Sequence, residues 1–175
     1  KGPVLRELYG LGKEVRKMIL YGVQRMALGM KTFLQRGETQ TADQLREYCS
    51  YVAGSIGEFL NHLVLFKDNV PLRDDLSSRV AEFLQLTNII KNVREDYVQQ
   101  RIYFPREYRP DGMSHHELVT GRDDASQEAR KAIFARMLEL ATNNFAGAVE
   151  YLTSIDSKLS GYRAFCLAPF IAGDE

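Results

Sequence analysis

The sequence lacks an excess of charge of either sign, and it has few cysteines, few prolines and no long apolar run. Its 175 residues include 23 lysines plus arginines and 23 aspartates plus glutamates, and this balance removes the electrostatic argument for a nucleic-acid-binding protein. The two cysteines, Cys49 and Cys166, are too few for a disulfide framework. No apolar stretch approaches the roughly 20 residues that a membrane-spanning helix needs. With 45% hydrophobic and 26% charged residues, the composition is that of one globular domain over residues 1–175.

What the sequence does contain is apolar residues spaced by three and four along nearly its whole length, the pattern of amphipathic helices. No window alternates with a period of two, so we predict no strand and an all-α fold. Helices of this length pack around a common core. The pattern predicts long helices at about 3–35, 41–66, 76–99 and 126–155, a short turn of helix at 115–119, and a last segment at 158–171 broken near Pro169.

The third predicted helix carries a stripe of polar residues. Gln85, Asn88, Asn92 and Asp96 recur at spacings of three and four, so they share one face of a helix. The stripe either faces water or lines a polar cavity. Glu95 and Asp96 lie near the carboxyl end of this helix, where the helix dipole disfavours acids. A bound cation would explain them, and Mg²⁺ uses a few carboxylate or amide oxygens together with water and phosphate oxygens.

The second predicted helix has glycines in its interior, and each costs about 1 kcal/mol relative to alanine. Gly54 and Gly57 therefore indicate either tight packing of two helices or the approach of a bulky ligand. Tyr48, which precedes them, is either a core aromatic or a catalyst. Arg101 follows Asp96 by five residues. It is either a surface residue or part of an anion site, since its planar guanidinium offers paired donors to a diphosphate.

Two segments, YCSYVAGSIG at 48–57 and LQLTNIIKNVRED at 84–96, are followed by RIYFP at 101–105. In type, order and separation these motifs resemble those of the squalene/phytoene synthase family, over about residues 5–169. The resemblance implies an isoprenoid-synthase-type helical bundle around a central apolar cavity. It also implies a prenyltransferase that condenses two farnesyl diphosphates head to head, through a cyclopropylcarbinyl diphosphate, with Mg²⁺ as cofactor. In the squalene branch NADPH then supplies hydride, whereas the phytoene and dehydrosqualene branch works without it.

Residue by residue, the resemblance assigns three kinds of site position to this chain. It implies metal ligands at Asn92, Glu95 and Asp96, and catalytic roles for Tyr48, Asn88 and Asp96. It implies substrate-binding roles for Val52, Ala53, Gly57, Leu60, Gln85 and Arg101.

Two departures from the family pattern leave alternatives open. Asn92 stands where the family has aspartate, so a non-catalytic member that acts as a scaffold or assembly protein is one alternative. The family's first aspartate-rich motif normally precedes the region that matches Leu5, so we expect a chain that lacks the amino-terminal helices and belongs to a longer polypeptide. The segment ALGM at 27–30 and FCLAP at 165–169 favour the squalene branch, whereas RIYFP fits the phytoene branch equally well.

The remaining expectations concern cofactor, partners and location. The glycine-rich fingerprint of nicotinamide binding is absent, so NADPH would have to occupy the prenyl cavity. The adjacent histidines at 115 and 116 lack the further ligands of a zinc site. We expect a prenyl diphosphate as the partner, no nucleic acid, and a cytoplasmic location. Peripheral membrane association is an alternative, because the expected hydrocarbon product is insoluble.

Overall fold

The computed structural model describes residues 2–171, and within that range it consists of helices, turns and one isolated bridge between Glu38 and Ile102. The all-α prediction is therefore confirmed. A single π-helical turn (Ser50–Gly54) joins the third helix to the fourth, and short 3-10 turns lie at Arg106–Tyr108 and Ser157–Leu159. The α-helices are α1 (Pro3–Gly10), α2 (Lys13–Arg36), α3 (Ala42–Cys49), α4 (Ser55–Asp68), α5 (Asp74–Lys91), α6 (Val93–Val98), α7 (His115–Thr120), α8 (Asp124–Ser154) and α9 (Ser160–Ile171).

The prediction of one helix over 3–35 is wrong, because the chain breaks between α1 and α2. Leu11 and Gly12 adopt extended backbone angles, with ψ of 153° and 149°. The Leu11 N–H closes α1 on the carbonyl of Leu8 at 3.3 Å. The predicted stop is confirmed: Gly37 has φ of 78°, a left-handed conformation that suits glycine.

The prediction of one helix over 76–99 is wrong in one place, at Asn92. This residue leaves the helical region (φ −98°, ψ 13°) and separates α5 from α6. Hydrogen bonds continue across the break, because the Asn92 N–H donates to Asn88 and the Asp96 N–H donates to Asn92, each at 2.9 Å. The chain therefore bends without unwinding. The predicted break at Pro169 is also wrong, since α9 runs through it to Ile171.

The core lies mainly between α5 and α8, which pack along each other, with α3, the π turn and α4 on the other side of α5. Burial of each large apolar side chain contributes about 1.5–3 kcal/mol. A second, smaller cluster joins the ends of α5 and α8 to α9. The fully buried members of the main cluster include Leu45, Cys49, Leu86, Ile133 and Met137.

Glycines lie at two close approaches between helices. A Cβ on Gly57 would lie 3.5 Å from the Ser77 hydroxyl, so α4 and α5 are in close contact there. A Cβ on Gly29 would lie only 2.2 Å from the Cβ of Tyr51, so α2 lies directly against the π turn. At Gly57 the distance is that of ordinary van der Waals contact, so helix packing does not require a glycine there, and both alternatives for this position stay open.

Candidate functional site

An apolar cavity of about 260 Å³ lies between α4, α5, α8 and α9. It brings together five of the predicted site residues: Ala53, Gly57 and Leu60 from one side, and Gln85 and Asn88 from α5. They meet because α4 and α5 pack face to face at Gly57. The predicted substrate-binding residue Val52 is not among the residues that line the cavity; it is half-buried against the main core. The other lining residues are Ile56, Ser77, Val80, Ala81, Leu84, Tyr151, Tyr162, Phe165, Cys166 and Pro169.

A hydrogen-bonded network fixes one wall of this cavity, and nothing in the sequence pattern predicted it. The buried Tyr151 hydroxyl donates to the Asn61 side-chain oxygen at 2.5 Å. The Asn61 amide in turn donates to the Asp74 carboxylate at 2.7 Å. The Tyr162 hydroxyl lies 2.9 Å from that of Tyr151. These residues come from distant parts of the sequence, so no local spacing could have revealed the network.

A second, much smaller cleft lies at the far end of the α5–α6 pair and is lined by Asp96, Arg101, Tyr103 and His115, among others. The centre of a water molecule can lie within about 10 Å³ of this cleft. That is room for a single water. Burial raises the pKa of Asp96; the nearby Arg101 guanidinium opposes this shift and Glu95 adds to it. The Arg101 N–H donates to the Asp96 carbonyl at 2.8 Å, which holds the two residues together.

Tyr48 is connected to this cleft through Tyr103. Their hydroxyls lie 3.1 Å apart, and both side chains are buried. Phe33 stacks on the Tyr103 ring at 4.6 Å and contacts the Tyr48 ring at 4.7 Å, which fixes the pair. Burial raises the pKa of Tyr48 far above its ordinary value, although the charge of Arg101 opposes the shift. Tyr48 is therefore both a core aromatic and a protonated phenol in contact with a charged cleft.

The predicted polar stripe does not form one continuous face. Gln85 and Asn88 line the large cavity and Asp96 lines the small cleft, with the bend at Asn92 between them. Asn92 is half-buried and Glu95 is exposed on α6, and neither lines the cavity or the cleft. Between residues 2 and 171, no three His, Cys, Asp or Glu side chains are grouped as a metal site would require.

His115 is a site residue that the sequence interpretation passed over. It is 9% exposed, and neither ring nitrogen has a hydrogen-bond partner. Burial, assisted by the charge of Arg109 and opposed by that of Glu38, lowers the pKa of His115. The neighbouring His116 instead contacts the Tyr97 hydroxyl. The available signal was the capping box at Ser114, which starts α7 and turns one of the two histidines inward.

In the part of the chain that the structure describes, no helix combines the length and apolar character that crossing a bilayer requires.

Comparisons with known proteins point to one family. A family model described as squalene/phytoene synthase matches residues 1–175. A Botryococcus squalene synthase from Botryococcus braunii is 26% identical over 170 residues, which are 93% of this chain and 36% of that protein. A squalene synthase of Dictyostelium discoideum is 37% identical over 102 residues, 56% of this chain and 24% of the relative.

A solved structure, described as the complex of TcSQS with the ligand BPH1237, superposes with a TM-score of 0.73 at 29% sequence identity. The match covers 86% of this chain and 45% of that chain. This chain thus spans less than half the length of the relatives described here.

Proposed function

The chain belongs to the squalene/phytoene synthase family, and we propose that the protein joins two prenyl diphosphates, with farnesyl diphosphate as the substrate, head to head. One observation carries the proposal: an apolar cavity and a charged cleft lie at successive positions along the bent pair α5–α6. From Asn88 in the cavity to Asp96 in the cleft is eight residues, or about 12 Å of helix. The apolar cavity suits a hydrocarbon chain. The charged residues of the cleft suit a diphosphate that lies at its opening, since the cleft itself has room for a single water.

The residues of the cleft suit a diphosphate and its departure. The Arg101 guanidinium offers a planar pair of donors to phosphate oxygens. Tyr48 is protonated at neutral pH like any tyrosine, and burial raises its pKa further. Its hydroxyl contacts that of Tyr103, which lines the cleft. The apolar walls of the large cavity would keep water away from a carbocation formed there. Gln85 and Asn88 supply the polar groups among those walls.

Of the three predicted magnesium ligands only Asp96 lines the cleft, so these residues would supply part of a magnesium site. Mg²⁺ is commonly bound by one or two carboxylates, with water and substrate phosphates completing its shell. Asp96 would be the main ligand, since burial already penalises its charge. Asn92, one turn earlier, would add an amide oxygen, whereas Glu95 is exposed and would act through water. When bound, the ion would neutralise the diphosphate that leaves.

We propose the squalene branch, with NADPH as the source of hydride, because the segments at 27–30 and 165–169 favour it. The curated relatives compared above are also squalene synthases. Coupling without NADPH, as in the phytoene and dehydrosqualene branch, is the alternative reaction. A scaffold or assembly role is the alternative to catalysis, and the neutral side chain of Asn92 is the observation that favours it.

The test is to incubate the full-length protein with farnesyl diphosphate and Mg²⁺, with and without NADPH, and to identify hydrocarbon products and released diphosphate. Squalene that forms only with NADPH supports the proposal, and a desaturated product without NADPH supports the other branch. If neither a hydrocarbon nor released diphosphate is detected under any condition, the result supports the scaffold role. Arg101→Gln should strongly reduce turnover, whereas Arg36→Gln, at an exposed ion pair with Glu47, is the matched control and should not.

Asn92→Asp provides a separate test of the metal site. A carboxylate at this position should bind Mg²⁺ more tightly than an amide does, so we expect half-maximal activity at a lower Mg²⁺ concentration. Mg²⁺ titrations of the two full-length proteins measure this directly. An unchanged or weaker requirement in the variant would remove Asn92 from the ligand set.

A further inference from the structure

A groove of about 670 Å³ runs between α6, α7 and α8, separate from the cavity and cleft described above. Its floor is apolar, formed by Val93 and Tyr97 of α6, Phe104, Leu118 and Phe134. Val93 and Phe104 also line the cleft of Asp96, so they form the wall between the two spaces. The volume lies within the range of about 300–1,000 Å³ that is usual for small-molecule sites.

Three arginines from three separate elements lie around this groove: Arg94 of α6, Arg122 after α7 and Arg130 of α8. Arg94 and Arg122 are exposed, and in the described part of the chain neither has an ion-pair partner. Arg130 donates to the Leu118 carbonyl at 2.9 Å. No carboxylate is among the described residues that line the groove. The side chains that line the groove therefore carry three positive charges and no negative one.

Asp123 and Glu95, the acids next in sequence to Arg122 and Arg94, do not line the groove. Asp123 follows Arg122, but its carboxylate accepts hydrogen bonds from the N–H and hydroxyl of Ser126. Arg130 does act on Asp123, as one of the charges that lower the pKa of that carboxyl. Arg94 and Arg122 are left as the two guanidinium groups available to a ligand.

We propose that this groove binds a single-chain alkyl or prenyl phosphate, with the phosphate on Arg94 and Arg122 and the hydrocarbon on the apolar floor. Guanidinium groups pair with phosphate oxygens through two parallel hydrogen bonds. Removing the hydrocarbon from water against Val93, Tyr97 and Phe134 is favourable. A single chain fits better than a membrane surface, because the apolar residues lie in a groove below the arginines and a bilayer headgroup would leave them unfilled.

The test uses the 175-residue chain and dodecyl phosphate kept below its micelle concentration, with binding measured by calorimetry. We expect saturable binding, of which one equivalent depends on Arg94 and Arg122. Inorganic phosphate should bind at least about tenfold more weakly, since it lacks the chain that the apolar floor would bury. Arg94→Gln combined with Arg122→Gln should also weaken binding by at least about tenfold, the effect of losing charge-assisted hydrogen bonds.

Two controls keep the result specific to the groove. Arg36→Gln removes the same charge at a distant surface and should leave dodecyl phosphate binding unchanged. Arg101→Gln should leave unchanged the part of the binding that depends on Arg94 and Arg122, which separates this groove from the site of the proposed reaction. Since Arg94 and Arg122 are exposed, the double variant should fold, and circular dichroism checks that it does.

Three results would overturn the proposal. The first is unchanged binding in the Arg94 and Arg122 double variant. The second is loss of binding only in the Arg101 variant, which would place the ligand in the cleft. The third is binding to phosphatidylglycerol vesicles, abolished by the double variant, without saturable binding of monomeric dodecyl phosphate, which would make this face a membrane-binding surface. Because none of these assays measures turnover, failure of the proposed enzymatic function would not affect them.

Discussion

Helix α2 contains two glycines for which the same substitution should have opposite effects on stability. Both Gly22 and Gly29 lie inside the helix, where alanine is favoured over glycine by about 1 kcal/mol. Around Gly22 there is room, because a new Cβ would lie 3.7 Å from the Cβ of Phe59 and from the Ser55 carbonyl. Around Gly29 there is none, because a new Cβ would lie 2.2 Å from the Cβ of Tyr51 and 2.7 Å from its Cγ.

The magnitude follows from these distances. The Cβ of Tyr51 is attached directly to the backbone, so relief of the clash requires α2 or the π turn to move by more than an ångström. Overpacking costs about 1–3 kcal/mol, and a contact this close to the backbone belongs at the upper end, about 2–3 kcal/mol. After subtraction of the gain in helix propensity, Gly29→Ala should lower the free energy of unfolding by about 1–2 kcal/mol. Gly22→Ala should raise it by about 0.5–1 kcal/mol.

Urea and thermal unfolding of the two variants and of the parent chain, under the same conditions, measure both changes in the free energy of unfolding. For a chain of this size, 1 kcal/mol corresponds to about 2–4 °C in Tm. We therefore expect a Tm lowered by about 2–8 °C for Gly29→Ala and raised by about 1–4 °C for Gly22→Ala. If both substitutions stabilise the chain equally, α2 does not lie against the π turn as described. That result would also remove the support that holds Tyr51 next to the cavity-lining segment.

Two further substitutions test the buried polar groups. Because the pKa of His115 is lowered from its ordinary 6.5, the folded chain binds this proton less readily than the unfolded chain. The stability associated with neutral His115 is thus present above pH 6.5 and is lost as the pH falls below it. Urea midpoints between pH 8 and 5 should fall less steeply in His115→Asn, and equal slopes would contradict the burial of this imidazole. Asn61→Leu should lower the free energy of unfolding by about 1–2 kcal/mol, since it removes the acceptor of the buried Tyr151 hydroxyl and leaves that hydroxyl with Tyr162 alone; a urea midpoint unchanged from that of the parent would contradict the network.

The helices could be predicted wherever the apolar spacing of three and four residues continues and the backbone stays helical throughout. The predicted span 126–155 matches α8 (Asp124–Ser154) closely, because its apolar positions repeat without glycine or proline at either boundary. The two breaks were not predictable in the same way. At Leu11 and at Asn92 the sequence has no proline, and the hydrophobic spacing continues across both positions. At Leu11 the signal lay in the glycines on either side, Gly10 and Gly12, which make a helix easy to interrupt and have no packing neighbour in the structure. At Asn92 no glycine or proline marks the break, and periodicity does not encode it.

The candidate site could be predicted only where its residues belong to neighbouring helical faces. Ala53 and Gly57 share a face with Leu60, and Gln85 lies on the helix that packs against them. The inward position of His115 and the wall formed by Tyr151 depend instead on elements far apart in the sequence. Burial of a histidine or pairing of two phenols is decided by tertiary packing, for which a single sequence carries no periodic signal.

The bend at Asn92 separates two chemical environments that a straight helix would merge. At 100° per residue, an unbroken α5 would place Asp96 about 20° from Gln85 around the axis, on the face that lines the apolar cavity. A carboxylate in such surroundings loses its hydration without gaining a partner, which strongly disfavours its charged form. The bend instead places Asp96 in the cleft beside Arg101, where an opposite charge offsets that penalty. The same break in the helix thus keeps the cavity apolar and gives the carboxylate a cationic neighbour. Both conditions are needed if hydrocarbon and phosphate are to be bound at successive positions along one pair of helices.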